Sequence, residues 1–167
     1  YVRYHDEEWG VPVRDDRMLF EMLILEGFQA GLSWECVLNK QEAFRQAFDD
    51  FDWDKVAAYD EARQVALYAD PGIIRNRRKI AAAVGNAAAF AAIRQEFGSF
   101  DSYLWQWTGG KTLVECGPTT SPLSDAISKD LKKRGMKFVG STIIYAYLQA
   151  VGVLYAHEPG CFLEAAP

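Results

Sequence analysis

Residues 17–28, RMLFEMLILEGF, place apolar side chains at positions 18, 19, 20, 22, 23, 24, 25 and 28. A helix over this stretch has almost no polar face, so it has to run through the middle of a core, and the remaining chain must cover it on all sides. Asp15 or Asp16 is placed to cap its start, and Gly27 and Gly31 to interrupt or end it.

The flanking sequence supplies the covering helices. SWECVLNKQEAFRQAF predicts a second helix with Ser33 as its N-cap, and acidic starts at Asp54 and Asp60 introduce two short helices before Asp70-Pro71-Gly72, where Pro71 is a stop. Residues 76–97 are rich in alanine, carry Ile80, Val84, Phe90 and Ile93 at spacings compatible with one face, and end at Gly98. SFDSYLWQW fits another helix. TGGKTLVECGPTTSP is a loop that delivers Ser121 as N-cap and Pro122 as first helical residue of SPLSDAISKDLKKRG. Gly135 closes that helix, residues 136–140 form a hairpin, and STIIYAYLQAVG begins the next helix. No strand of convincing alternation and no internal repeat is visible. The expected fold is all-α, one compact multi-helix domain over residues 1–167.

A chain of 167 residues, half of them hydrophobic, has the size of one ordinary domain. No apolar run approaches the ~18 residues of a membrane span, and the N-terminus lacks a signal-peptide pattern, so a soluble cytoplasmic protein is expected. Cys36, Cys116 and Cys161 are too few and too scattered for a disulfide framework. The net charge of −5 argues against nucleic acid as a partner, but two segments, residues 75–79 and 129–137, each carry a net of +4. Taken alone, each is a solvated helix end, since cations favour helix C-termini.

Four constellations could carry chemistry. His157-Glu158-Pro159-Gly160-Cys161, with His5 as the only other imidazole, offers donors that suit zinc and would clamp the two ends of the chain. Cys36 and Cys116 are unpersuasive fourth ligands, and spacing alone favours a role without metal. Glu26 ends the most apolar helix, where an ionised carboxylate is costly without a partner; it either reaches solvent or waits for a cationic ligand. Tyr1, Tyr4, Trp9, Phe28 and Trp34 bracket Glu26 in sequence and either fill the core or form a receptor for a flat, positively charged heterocycle. Finally, Gly135 and Gly140 bound the hairpin, whose amides and following helix start could hold one phosphate, with Lys132, Lys133, Arg134 and Lys137 adding attraction. Without that ligand it is a tight helical corner.

Together, YHDEEWGVP, LEGFQAGLSW, GIIRNRRKI, SDAISKDLKKRGMKFVGSTIIYAYLQAVG and HEPGC resemble, in order and over nearly the whole chain, the 3-methyladenine DNA glycosylase I family of the helix-hairpin-helix glycosylase superfamily. The resemblance implies the fold of that superfamily and a monofunctional glycosylase that acts as a monomer on double-stranded alkylated DNA, releases 3-methyladenine and leaves an abasic site. It implies base recognition by Tyr4, Trp9, Glu26 and Trp34, with Glu26 also the candidate for catalysis. It implies DNA binding by Lys133, Gly135, Lys137 and Gly140, and structural zinc on His5, His157 and Cys161. The family's fourth ligand is a cysteine upstream of the first tyrosine motif, which this sequence starts after: either a short segment precedes it in the intact protein, as the start at Tyr1 favours, or the site is altered, with water, another ligand or no metal. The catalytic aspartate of many superfamily members has no counterpart in VGVLYAHEPGC. Two other classes are a non-catalytic helix-hairpin-helix module that binds DNA by shape, and a zinc hydrolase using His5, His157 and Cys161 around an open position.

Overall fold

The computed structural model describes residues 12–29, 33–115 and 119–155. Tyr1, Tyr4, His5, Trp9, Gly31, Cys116, His157 and Cys161 lie outside them. Among the described residues the chain forms nine α-helices: α1 (Asp16–Gln29), α2 (Trp34–Asn39), α3 (Gln41–Ala47), α4 (Trp53–Ala57), α5 (Glu61–Ala69), α6 (Arg77–Phe97), α7 (Phe100–Gln106), α8 (Pro122–Lys133) and α9 (Ser141–Ala150).

α1 is the buried axis that its composition demands. Leu19, Phe20, Leu23, Ile24, Leu25 and Phe28 are all within a few per cent of complete burial, and even Glu21 and Glu26 are inside. The two acids at its start divide their work. Asp15 caps α1, its Oδ2 accepting from the Met18 amide at 3.0 Å. Asp16 instead accepts from the Phe100 and Asp101 amides at 3.0 and 2.9 Å and from Arg94 Nε at 2.6 Å, so it caps α7 and ties α1 to α6. Glu21 is neutralised by a bidentate Arg45 and by Gln41 Nε2, all at 2.8–2.9 Å.

Three local expectations are corrected. α1 does not stop at Gly27 but runs through to Gln29. The helix expected over residues 33–48 breaks at Lys40 into α2 and α3, a turn that lets Phe44 and Phe48 close on Phe28 with ring centroids 4.9 and 6.0 Å apart. The fold is also not purely helical: β1 (Leu113–Val114) pairs in parallel with β2 (Leu154–Tyr155), Leu113 opposite Leu154 and Val114 opposite Tyr155. Strands of two residues are too short to show an alternation in sequence. They pin the loop after α7 to the chain leaving α9.

The caps at Ser33, Asp60, Asn76, Ser99 and Ser121 all form, with Ser121 and Ser124 completing a capping box ahead of Pro122. α9 lies across α1, where the buried Tyr147 hydroxyl donates to the Leu19 carbonyl at 2.8 Å. Among the described residues no helix is long and apolar enough to cross a membrane.

Candidate active site and nucleic-acid interface

Two features meet at the C-terminal end of α1. The first is Glu26, whose residue is 4% exposed. Among the described residues nothing donates to its carboxylate, and burial pushes its pKa from 4.5 up to about 8. In the absence of a ligand the group is therefore mostly the neutral acid at pH 7. A cation brought against it would reverse that preference.

The second feature is the turn between α8 and α9, residues 134–140. Gly135 takes φ +96° as α8 ends, a conformation glycine adopts without strain, and Phe138 takes φ +57° at the tip. The turn is held from two sides. From α6, the buried Asn86 donates Nδ2–H to the Lys137 carbonyl and accepts the Lys137 N–H on Oδ1, both at 2.9 Å. From α8, the Ser128 hydroxyl donates to the Val139 carbonyl at 2.6 Å. Gly140 is the N-cap of α9 and no side chain caps that helix; the Ser141 hydroxyl is turned away to Asp125 at 2.5 Å. The uncapped first turn of α9 is thus left to accept an anion.

Phe138 joins the two features. A Cβ built on Gly27 would lie 3.6 Å from Phe138 Cβ, so the tip of the turn rests on α1 one residue beyond Glu26. Lys79 completes the joint: its Nζ donates to the Phe28 carbonyl at 2.9 Å and lies 6.0 Å from the Phe138 ring centroid, and burial lowers its pKa. The glycine near Glu26 serves the approach of the turn.

Of the residues expected to recognise the base, Glu26 is placed as described, and Trp34 opens α2, three residues before the fully buried Val37. Tyr4 and Trp9 fall outside the described residues. Phe28 is core, fully buried and packed on Phe44 and Phe48. Gly135, Lys137 and Gly140 come together on the turn, and Lys133 is exposed on the last turn of α8. Arg134 is committed inward, bonded to Asp130 at 2.8 Å and Glu96 at 3.2 Å, with its guanidinium about equally distant from the Phe97 and Tyr103 rings, at 5.2 and 5.3 Å. It is a structural residue.

The other basic run is also corrected. Residues 77–79 open α6, so these cations stand at the positive end of a helix dipole, where they are disfavoured. Asn86 and Ser128 were not singled out from sequence. Both lie on core-facing lines, Asn86 within 79, 83, 86, 90, 93 and Ser128 within 124, 127, 128, 131. A polar residue on an apolar stripe was the available signal.

Comparison with known proteins decides the family. The methyladenine glycosylase family model matches residues 1–164. The chain belongs to the methyladenine glycosylase family. Within it, DNA-3-methyladenine glycosylase 1 of Escherichia coli (strain K12) is 49% identical over 168 residues, covering 96% of this chain and 89% of that protein. The DNA-3-methyladenine glycosylase of Haemophilus influenzae is 41% identical, covering 96% and 90%. 3-Methyladenine DNA glycosylase I from Staphylococcus aureus, solved for the structural basis of its 3-methyladenine recognition, superposes with a TM-score of 0.94 at 36% identity, covering 98% of this chain and 90% of that one. The methyladenine glycosylase fold is thus mostly helical with one small sheet, as found here.

Proposed function

We propose that this chain is a DNA-3-methyladenine glycosylase of base-excision repair: it hydrolyses the N-glycosidic bond of 3-methyladenine in alkylated DNA, releasing the free base and leaving an abasic site. The observation that carries the assignment of roles is Glu26, an acid kept in a nearly dry setting beside the turn, in a chain whose relatives are named for this reaction. Methylation at N3 makes the adenine a cation and weakens its bond to the sugar, so the base leaves with little acid catalysis. Water adds its hydroxyl to the sugar C1′, the bonding pair departs with the base as neutral 3-methyladenine, and one proton is released.

What the protein supplies is extrusion of the nucleotide and discrimination. A neutral adenine gives Glu26 no reason to ionise in its buried site. A cationic one does, and the resulting carboxylate complements the charge and accepts from the exocyclic amine. Tyr4, Trp9 and Trp34 supply ring faces for stacking the flat cation. The turn residues Gly135 and Gly140 and the uncapped start of α9 hold a phosphate of the duplex, with Lys133 and Lys137 contributing counter-charge. One copy of the chain contains all these groups, so it acts as a monomer.

Zinc is proposed as well, on the donor chemistry of His5, His157 and Cys161: two imidazoles and a thiolate suit that ion in a structural site. Metal analysis of the purified full-length protein, compared with His5→Ala and Cys161→Ser variants, checks this assignment.

The decisive experiment is incubation with methylated duplex DNA, followed by identification of the released base and counting of abasic sites. Release of 3-methyladenine is expected, and Glu26→Gln should reduce it sharply while leaving affinity for undamaged duplex unchanged. DNA binding without base release would instead identify a non-catalytic module.

A further inference from the structure

A groove of about 550 Å³ runs beside the turn, between it and α6. Arg78 stands on the α6 side and Lys137 on the turn side, with Ala81 and Gly85 of α6 and Phe138 among its lining. Its lining, as far as the described residues go, contains two cations and no carboxylate. α6 carries Arg77, Arg78 and Lys79 in its first turn without any acid there. Two of these have internal partners: Lys79 bonds the Phe28 carbonyl, and the Arg77 guanidinium lies 4.6 Å from the Tyr68 ring centroid. Arg78 is exposed and has no hydrogen bond, ion pair or ring contact among the described residues. A cation held against the helix dipole, facing a groove of uniform sign, lacks its counter-charge.

We propose that this groove takes a second stretch of the DNA sugar–phosphate backbone, beyond the phosphate held at the turn, with Arg78 as its principal cation. The inference rests on the proposed DNA-binding role of the turn and extends it. The groove continues from the turn itself through Lys137 and Phe138, so a strand laid on one reaches the other. Its alanine and glycine floor offers no side-chain hydrogen bonds to bases and lets a backbone come close, which suits binding indifferent to sequence. A grip on either side of the turn also spreads the cost of extruding a nucleotide over more phosphate contacts.

The test is equilibrium binding of undamaged duplex DNA over a range of salt concentrations. Arg78→Gln should weaken binding roughly fivefold to tenfold and make the dependence of log K on log salt shallower by about one unit. Gly85→Leu fills the groove at a position where a Cβ would meet nothing within 4 Å, so it should fold normally by circular dichroism and show a similar loss of affinity. If both variants bind like the parent while Lys137→Gln binds weakly, the groove is unoccupied and only the turn holds DNA. If Arg78→Gln is weak but Gly85→Leu is not, Arg78 acts as a distant charge and the groove assignment fails. If Lys137→Gln also binds like the parent, the role of the turn fails together with this inference.

Discussion

Asn86 and Lys137 exchange two hydrogen bonds, side-chain amide against backbone amide, both 2.9 Å long and 51 residues apart in sequence. The pairing spends both ends of a buried carboxamide on the N–H and C=O of one residue of the turn proposed to face DNA, so α6 dictates where the turn sits. Asn86→Leu should therefore cost about 1–3 kcal/mol of stability, because the Lys137 groups lose their partners in a buried setting. It should also weaken duplex binding several-fold, since the turn is no longer preorganised. Thermal unfolding and duplex titration measure the two effects; affinity that stays at the parent value despite lost stability would detach Asn86 from DNA binding.

Glu26 should make the protein's stability depend on pH in an unusual direction. Its pKa is near 4.5 unfolded and about 8 folded, so between those values the folded state holds more protons than the unfolded state. Stability then falls as pH rises through that window, by up to about 1.4 kcal/mol per pH unit, and levels off above it. Glu26→Gln removes the term. The stability difference between variant and parent should be small near pH 4.5 and grow steadily in the variant's favour towards pH 8, as followed by denaturant unfolding in which other titrations cancel. A difference that stays flat across the window would mean that the carboxylate is solvated.

Much of this architecture was legible. The all-round apolar run of α1 demanded a buried central helix, and the capping residues Ser33 and Ser121 marked real helix starts because their side chains compete for local amides. Glu26 was also visible, since an acid at the end of such a run has to be explained. What escaped depended on contacts between segments far apart. Arg134 and Lys133 are neighbours of the same charge, and only the packing of α8 against Glu96, Phe97 and Tyr103 separates a structural cation from a solvent-facing one. Gly27 looked like a helix terminator because its real cause, Phe138, lies more than a hundred residues away. The sheet was invisible for the opposite reason, that two residues carry no pattern.

The division of labour between Arg134 and Lys133 gives a paired prediction. Arg134→Gln breaks bonds to Asp130 and Glu96 and removes a cation lying near two rings, so it should lose about 1–2 kcal/mol of stability. Lys133→Gln should leave stability within about 0.5 kcal/mol while weakening duplex binding and reducing its salt dependence. Thermal unfolding beside salt-dependent titration of both variants checks the pair. A stable Arg134→Gln protein with reduced salt dependence would instead make Arg134 one of the DNA-binding cations.

Gly27 offers a graded probe of the joint between Glu26, the proposed base-recognition residue, and the turn. The Cβ of an alanine there would lie 3.6 Å from Phe138 Cβ and 3.7 Å from the Phe138 carbonyl oxygen, ordinary contact distances, and the void beside it is only about 10 Å³. Gly27→Ala should therefore be tolerated, and its gain in helix propensity of up to about 1 kcal/mol offsets any small packing loss. Gly27→Leu has no such space. Its extra carbons must displace Phe138, whose backbone at φ +57° is already in a sparsely populated region, or force α1 and α6 apart. Overpacking of this kind costs roughly 1–3 kcal/mol. Because Phe138 belongs to the turn and Gly27 follows Glu26, both base release and duplex affinity should fall in Gly27→Leu, whereas Gly27→Ala retains them. If Gly27→Leu lowered base release alone, with parental affinity for undamaged duplex, the turn would be mechanically independent of the base site.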